Sequence, residues 1–414
     1  MAKYWRNKVL LAKVETIYGT DSSPTGAANA IQATDVQLRP MEGGEVRRNL
    51  DRGFMGSSGS LLVNLHVALS FKVEMAGAGT AGTAPAYGPL LRACGMSEVL
   101  VTGTGTIQNS PPTSTGAPTG TWTYTRTTAY AGTEERTVTL TCTTGGGSGT
   151  AEFTVSAPAV GVAPAYNQTG VVMTDATPFN LPSGAQITPT IGTGFEIGDT
   201  YTILLTPPEA RYRPVSTGFE SATLYVNIDG VRHAMLGCRG NAKIEVKPGD
   251  IPRYAFDLLG LLVAATDTAL PTPVLTAWQA PKTVSDANTP TARLNGVDVV
   301  LESFEADLGQ KVEGRFLVNH ESIQITDREG GGRLMIEAVP LATLDPFALA
   351  VARTRVPITL THGTASGAIV HVEHPRAELG RPGYSQSQGI AMWDIAYEAV
   401  AGDSGNDEIA VRVR

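Results

Sequence analysis

Three glycines near residue 80 have the spacing that dinucleotide-binding enzymes use. Gly77, Gly79 and Gly82 follow a strand-like run and precede a helix-like segment in VALSFKVEMAGAGTAGTAPAYGPLLRACG. A dinucleotide site also needs a buried parallel strand before the glycines and a helix that opens at the last one. The run before them instead alternates between apolar and polar residues, and Pro85 and Pro89 follow. The sequence therefore favours a loop over a nucleotide-binding turn.

Two histidines, His371 and His374, stand close enough in sequence to suggest a metal site. They lie in the strand-like stretch HVEHP, where residues three apart point to opposite faces, so they could not readily share one ion. The sequence has no HExxH, Walker A or GxSxG motif, and Cys94, Cys142 and Cys238 form no CxxC pair. We therefore expect no enzyme activity, no catalytic residues, no metal and no cofactor.

Composition indicates a β-rich chain of about two or three domains. Of 414 residues, 17% are charged and 6% aromatic, glycine and proline are abundant, and short alternating runs recur. The net charge of −8 is not that of a protein that grips nucleic acid by its phosphates. The first residues carry neither a secretory signal nor an 18-residue apolar span, so we expect synthesis as a soluble protein in a cytoplasm.

Two parts of the chain resemble each other at one offset. Residues 35–38 (DVQL) return as 298–301 (DVVL), and residues 71–74 (FKVE) return as 334–337 (LMIE), each 263 positions later. A polar, glycine-containing connection separates the matched strands in both parts, at 45–63 and 311–325. This shared order predicts a duplication, and we call the two parts the first and second repeats.

Each repeat continues with one helix candidate, at 86–94 and 346–353, that begins near a proline. Each then closes with strands around a Pro-Gly turn. Beyond that turn Phe256-Asp257 parallels Trp393-Asp394.

Residues 101–208 have a different character from their surroundings. They contain threonine and glycine runs, the stretch PPTSTGAPTG and their own alternating strands. We interpret them as a small β-sandwich inserted into a loop of the first repeat, where it should project outward. The predicted domains are thus 1–100 with 209–265, the insert 101–208, and 266–414.

The repeats resemble the major tail proteins, or tail tube proteins, of siphophages, and are most similar to the Mu-like and prophage type. The stretches that carry the resemblance are VLLAKVETIYGTDSSPTGAANAI, GTAPAYGPLLRACGM, YRPVSTGFESATLYVNIDGVRHAMLGCRG, LPTPVLTAWQAPKTVSDANTP and HESIQITDR. Residues 101–208 depart from the simplest family members and look like the immunoglobulin-like modules of other phage structural proteins. The resemblance covers most of residues 8–100 and 211–400.

The resemblance implies an all-β fold: two tandem β-sandwich or barrel domains, each with one short helix, plus an immunoglobulin-like insert. Six such tube domains form a ring, so two per chain imply trimeric rings with pseudo-sixfold symmetry. The rings stack into the hollow, non-contractile tail tube, the conduit for genome delivery into a bacterium. An alternative is a tail-tip or fibre-type protein that recognises the host surface through the insert.

The same resemblance implies the partners and the location. The chain would contact its own copies, a tape measure protein in the lumen, and tail terminator and tail-tip proteins at the ends. DNA would pass without specific binding, and the insert could contact the host surface. The protein would belong to the virion tail and assemble in the host bacterial cytoplasm.

Two groups of residues are candidates for these contacts. The polar connections carry charges of both signs, which suit ion pairs between stacked rings. These inter-ring candidates are Arg47, Arg48, Asp51, Arg52, Arg315, Asn319, His320 and Glu321. Carboxylates that alternate with apolar residues on the repeated strands could face a lumen and repel DNA phosphates. These lumen candidates are Glu42, Glu74, Glu305, Asp307 and Glu337.

Overall fold

The computed structural model describes residues 3–160 and 163–414. Strands dominate and the three α-helices within these residues are short, which confirms the prediction of an all-β fold. The first repeat begins with β1 (Lys8–Val14), α1 (Gly26–Asn29), β2 (Ala30–Ile31), β3 (Ala33–Arg47), β4 (Ser60–Glu74), α2 (Gly88–Ala93) and β5 (Met96–Val101).

The segment predicted as an insert follows. It contains β6 (Thr106–Ile107), β7 (Thr113–Thr115), β8 (Trp122–Thr128), β9 (Arg136–Thr144), β10 (Glu152–Ala157), β11 (Tyr166–Val172), β12 (Phe179–Asn180), β13 (Gln186–Ile191) and β14 (Thr200–Thr206), with a 3₁₀ turn at Pro182–Gly184. The first repeat then resumes with β15 (Glu209–Pro214), β16 (Ala222–Ile228), β17 (Val231–Val246), β18 (Arg253–Leu262) and β19 (Thr266–Asp267).

The second repeat contains twelve elements. They are β20 (Thr291–Leu294), β21 (Val297–Asp298), β22 (Leu301–Asp307), β23 (Gln310–Leu317), β24 (His320–Arg328), β25 (Gly331–Glu337), α3 (Pro346–Val351), β26 (Arg355–His362), β27 (Val370–Leu379), β28 (Gly383–Ser387), β29 (Ile390–Ala399) and β30 (Ala410–Val413). The helices α2 and α3 are shorter than the predicted spans 86–94 and 346–353, and α1 was not predicted.

The two repeats pair their strands in the same order. The first runs β3–β4–β18–β17–β16–β1. The second runs β22–β25–β29–β27–β26–β20. Corresponding strands also follow one another in the same order along the chain, with the helix in the same place. The repeats therefore share a topology as well as a sequence pattern.

The repeats do not share one register. An offset of 263 would pair Leu38 with Val73, as Leu301 pairs with Ile336, but Leu38 lies opposite Leu69. A shift of four residues is even, so apolar side chains stay on the core face. Bulges in β3 accompany the difference.

The match of Phe256 with Trp393 was also wrong by two residues. Phe256 lies opposite Phe71, whereas Leu334, which corresponds to Phe71, lies opposite Ile395. Phe256 therefore corresponds to Ile395, and Tyr254 corresponds to Trp393. Short alternating strands look alike when slipped by two, so the sequence could not reveal this register.

One antiparallel sheet runs through both repeats. The second half of β17 pairs with β22, and Lys243 lies opposite Asp307. Beyond β29 the sheet ends with β28. The resulting order is β3–β4–β18–β17–β22–β25–β29–β28. This eight-stranded sheet closes no barrel within the described residues and ends in two edges, at β3 and β28.

The hydrophobic core is likewise shared by both repeats. Phe71 and Phe256 of the first repeat, whose rings lie 5.5 Å apart, belong to the same buried cluster as Phe304 and Trp393 of the second. A separate buried cluster lies within residues 107–205, between a sheet built on β9, β10 and β14 and the smaller sheet β12–β13–β8. β5 enters this segment and β15 leaves it, and the two pair along their length. The domain boundaries and the immunoglobulin-like class of the inserted segment remain predictions.

The two polar connections differ in structure: 45–63 is mostly an unpaired turn between β3 and β4, whereas 311–325 is mostly a paired hairpin. β3 and β4 pair as far as Arg47 and Ser60, which leaves a turn at 48–59. β23 and β24 pair throughout, with the turn between Leu317 and His320.

Two of the three glycines that resemble a nucleotide motif, Gly77 and Gly79, pack the repeats together. They lie between β4 and α2, and the helix begins at Gly88, six residues after Gly82. The amide of Gly79 donates to the carbonyl of Gly367 at 2.8 Å. A Cβ on Gly77 would lie 2.1 Å from the same carbonyl oxygen. The spacing therefore reflects backbone contact between two loops.

This contact predicts a steric cost at one glycine and none at another. Gly77→Ala should lower the free energy of unfolding by about 1–3 kcal/mol, because the methyl group forces the loops apart. Gly53→Ala is the matched control, since a Cβ there meets nothing within 4 Å. Urea denaturation of both variants measures the difference. Equal stabilities would contradict this account of the loop contact.

Candidate assembly surfaces

The five lumen candidates lie on the face of the large sheet that points away from the core. Glu74 lies opposite Arg253, Glu305 opposite Arg333, and Asp307 opposite Lys243. Glu337 and Glu42 lie opposite Met392 and His66 on the same face. The residues between them, including Val73, Phe304, Ala306 and Ile336, are buried. The structure thus brings the five onto one surface, and their exposure to a lumen stays a prediction.

Basic side chains that the sequence analysis passed over share this outer face. Lys72 pairs with Glu245 at 2.6 Å, and Lys243 pairs with Asp307 at 3.1 Å. The bases are Arg39, Lys72, Lys243, Arg253 and Arg333. The acids are Glu42, Glu74, Glu245, Asp257, Glu305, Asp307, Glu337, Asp394 and Glu398. The face is a mixed grid with acids in excess rather than a uniformly acidic surface.

Hydrogen bonds across this face shift the pKa of two groups, Lys243 and Asp394, toward their charged forms. The hydrogen bond to Asp307 raises the pKa of Lys243. The hydrogen bond from Arg333 lowers the pKa of Asp394. The alternation that revealed Glu74 also contains Lys72, so the same signal could have identified the bases.

The first set of inter-ring candidates lies on a projecting arm, which we define as residues 40–67. Arg47 ends β3, while Arg48, Asp51 and Arg52 occupy the turn at 48–59. All four are exposed, and within the described residues none of them forms an ion pair. The turn also exposes Phe54 and Met55.

The second set lies near the tip of the β23–β24 hairpin. Arg315, Asn319, His320 and Glu321 are exposed, and Asn319 has the positive φ of a tight turn. The imidazole Nε2 of His320 lies 2.8 Å from the hydroxyl of Ser322. A role for either set in ring stacking stays a prediction.

The middle of this hairpin contacts the first repeat. The Tyr18 hydroxyl accepts a hydrogen bond from the Ile323 amide at 2.6 Å. The Arg239 guanidinium donates to the Ile323 carbonyl at 2.9 Å. Ile323 is fully buried. Part of the polar connection 311–325 therefore holds the two repeats of one chain together.

The two free edges of the sheet differ from its internal junction in exposure. Among the described strands, β3 pairs only with β4, and β28 pairs only with β29. Tyr384 on β28 lies opposite Trp393, and Ile244 on β17 lies opposite Tyr254. Because Trp393 corresponds to Tyr254, Tyr384 corresponds to Ile244. Ile244 is 1% exposed where β22 covers it, whereas Tyr384 is 69% exposed. The apolar residue at this position is therefore buried at the internal junction and exposed at the free β28 edge.

A buried cluster of charges attaches the inserted segment to the repeats. Arg414 contacts Glu134 at 2.6 Å and Glu209 at 2.9 Å, and Arg412 contacts Glu135 at 2.8 Å. Burial raises the pKa of Glu135, but Arg412 and Arg211 outweigh it and hold that pKa below its usual range. The strand β30, which contains Arg412 and ends just before Arg414, pairs with β15 and β27. The segment is therefore held by charge pairs as well as by its two connecting strands.

Comparison with known families decides what this architecture represents. Residues 182–410 match the family model of the phage tail tube protein, more than half of the chain. The chain belongs to the phage tail tube protein family. The match spans the end of the inserted segment, β15 to β18 and nearly all of the second repeat. No curated protein matches the chain significantly.

Membership makes this tail tube protein a structural component of the phage virion tail, and its family is not an enzyme family. His371 and His374 lie on opposite faces of β27, and His374 is buried against the Glu408 carbonyl. No cluster of three or more potential metal ligands occurs in residues 3–160 and 163–414. None of the helices in those ranges has the length and apolar character to span a membrane.

The buried charge cluster predicts a large cost for removing one arginine. Arg414→Ala should lower the free energy of unfolding by about 3–5 kcal/mol, because Glu134 would remain buried and unpaired and Glu209 would keep only Arg211. Arg48→Ala, at an exposed position, should change it by less than about 0.5 kcal/mol. Calorimetry and urea denaturation of both variants test this. Similar losses in the two variants would refute the role of the cluster.

Proposed function

We propose that this tail tube protein forms trimeric rings with pseudo-sixfold symmetry that stack into the hollow, non-contractile tail tube of a siphophage. The tube is the conduit through which the genome enters a bacterium. The observation that carries the proposal is the eight-stranded sheet with an internal junction and two free edges. An unpaired edge of this length is a template for another strand.

The free edges can repeat the junction that already exists inside the chain. β17 pairs antiparallel with β22 at the boundary of the repeats. β28 corresponds to that part of β17, and β3 corresponds to β22. Because strand direction alternates across all eight strands, β28 of one chain and β3 of the next would also be antiparallel. The corresponding register places Tyr384 opposite Leu38.

Repetition of one junction generates a closed ring when the rotation per repeat divides a full turn. The family resemblance supplies the count of six repeats per ring, and two repeats per chain then require three chains. Closure would remove both free edges and bury Tyr384 as Ile244 is buried. A closed antiparallel barrel would enclose the lumen.

The outer face of the sheet suits the wall of a conduit for DNA. Three chains at a net charge of −8 carry −24 per ring. Acids exceed bases on the face that would line the lumen, so phosphates are repelled on average and do not adhere. We also propose that a tape measure protein occupies the lumen before DNA, that tail terminator and tail-tip proteins bind the ends, and that assembly takes place in the host cytoplasm.

Ring closure predicts that one edge substitution blocks assembly without unfolding the chain. In Tyr384→Lys an unpaired ammonium group would become buried at the junction, which costs several kcal/mol. The concentration needed for ring formation should rise about 100-fold or more. Tyr4→Lys is the control, since Tyr4 is 75% exposed and lies on neither edge.

Negative-stain electron microscopy over a concentration series measures this effect, with thermal melting as the check on folding. Wild-type rings and a folded, monomeric Tyr384→Lys variant are the expected result. Rings that form equally well in both variants would argue against closure through β28. A wild-type chain that stays monomeric at all concentrations would argue against self-assembly.

The inserted segment should be dispensable for the tube. Residues 105–206 can be replaced by a short turn that joins β5 to β15, because these strands already pair. Arg412 and Arg414 would lose Glu135 and Glu134 but keep Glu373 and Glu209, so both arginines stay unchanged in the deletion variant. We expect tubes of normal length with a thinner wall. A folded deletion variant that makes no tubes would show that the segment takes part in assembly.

A further inference from the structure

The β23–β24 hairpin covers a specific site on the first repeat. A Cβ on Gly95, just after α2, would lie 3.1 Å from Cδ1 of Ile325 and 3.0 Å from Nε2 of Gln310. Arg239 on β17 donates to the Ile323 carbonyl at 2.9 Å. The site thus combines the end of α2 with the middle of β17, and both isoleucines are buried in it.

The second repeat has the corresponding site, which stays open among residues 3–160 and 163–414. Arg353 follows α3 with positive φ, as Gly95 follows α2. Leu379 lies opposite Tyr397 as Gly240 lies opposite Leu258, and Tyr397 corresponds to Leu258. Glu378, one residue before Leu379 on β27, therefore corresponds to Arg239. Between α3, β27 and β29 lies a groove of about 760 Å³. We name it the second-repeat groove; its lining includes Phe347, Val351, Arg353, Glu378, Arg381 and Tyr397.

The arm corresponds to the hairpin, and apart from the stacking of His66 on Phe316 at its base the described residues leave it uncovered. It connects β3 and β4 of the sheet in the first repeat, as residues 308–330 connect β22 and β25 in the second. Ala68 and Gly331 correspond at the offset of 263 residues. Leu62 precedes Ala68 by six residues and Ile325 precedes Gly331 by six, so Leu62 corresponds to Ile325. Leu62 is 53% exposed, whereas Ile325 is 6% exposed.

Other apolar side chains of the arm share this exposure. They are Met41, Val46, Leu50, Phe54, Met55 and Leu61. An exposed apolar cluster of this size usually marks a surface that another chain covers.

We propose that the arm of one chain lies in the second-repeat groove of the adjacent chain in the same ring. The proposal rests on the proposed ring, since the arm leaves the β3 edge and the groove flanks the β28 edge. These edges are at opposite ends of the eight-stranded sheet, so a chain does not fill its own groove. The β28–β3 junction would bring a neighbour's arm to the groove, as the β17–β22 junction brings the hairpin to its site.

Both surfaces carry charges of both signs, with Arg47 on the paired part of the arm and Glu398 in the groove, so ion pairs can form between them. The arm carries Glu42 and Glu45 beside its apolar residues, and Glu45 lies opposite Leu62. The groove carries Arg381 and Arg353, and Arg353 also pairs with Glu378. The turn at 48–59 extends beyond the paired part of the arm and would remain free for a stacked ring.

A disulfide cross-link tests the proposed contact. In the double variant Leu62→Cys and Arg353→Cys the new thiols should meet between neighbours, as Ile325 meets Gly95 within the chain. The native cysteines are all buried, so they should not compete. After oxidation of assembled tubes, a non-reducing gel should show cross-linking that ends at a covalent trimer. Each single variant is a control and should stay mainly monomeric on the gel.

The pattern of products separates the outcomes. A ladder that continues beyond the trimer would place the contact between rings and overturn the proposal. Rings visible by microscopy without any cross-link would overturn the arm contact while leaving the ring intact. Absence of rings in the reduced wild-type protein would overturn the ring and the arm contact together.

A second variant avoids dependence on disulfide geometry. Leu61→Ser with Leu62→Ser removes apolar surface from the arm and should raise the concentration needed for ring formation by about tenfold or more. Its melting temperature should stay unchanged, because both leucines are exposed in the single chain. Ile197→Ser, at a 75% exposed position of the inserted segment, is the matched control. Equal assembly of both variants would refute the docking of the arm.

Discussion

The pairing of β17 with β22 is the interaction on which the rest of this structure depends. Only four residue pairs form it, from Lys243 opposite Asp307 to Val246 opposite Phe304. They convert two sandwich-like repeats into one sheet and place Phe304 in the same core as Phe71. Because backbone hydrogen bonds carry little residue specificity, the same junction can recur between chains wherever corresponding edges are exposed.

The two faces of the large sheet have different roles. The inner face packs aromatic and aliphatic side chains from both repeats, which supplies the hydrophobic stabilisation. The outer face carries alternating charges whose cross-strand pairs, such as Lys72 with Glu245, offset the repulsion among its acids. An exposed pair of this kind adds little stability. Its main consequence is a surface that stays charged and hydrated.

The inserted segment is stabilised and attached differently from the repeats. It has its own buried cluster and depends on the remainder through two paired strands and the charge cluster around Arg414. Burying charges costs free energy that a hydrophobic contact would not, so the cluster favours one geometry of attachment rather than maximal stability. A module held in this way can differ between relatives without changing the shared sheet.

The sequence alone determined the all-β class, the places of two helices, the existence of two similar parts and the resemblance to tail tube proteins. Each of these depends on local alternation or on side-chain types that a single strand displays. Only the tertiary structure decided the register, which differs by four residues between the repeats, and the correspondence of Phe256 with Ile395. It also decided that Gly77 packs against Gly367 and that Lys72, Arg253 and Arg333 share a face with the acids. Pairing partners lie far apart in the chain, and a strand slipped by an even number of residues presents the same faces, so nothing local distinguishes one register from another.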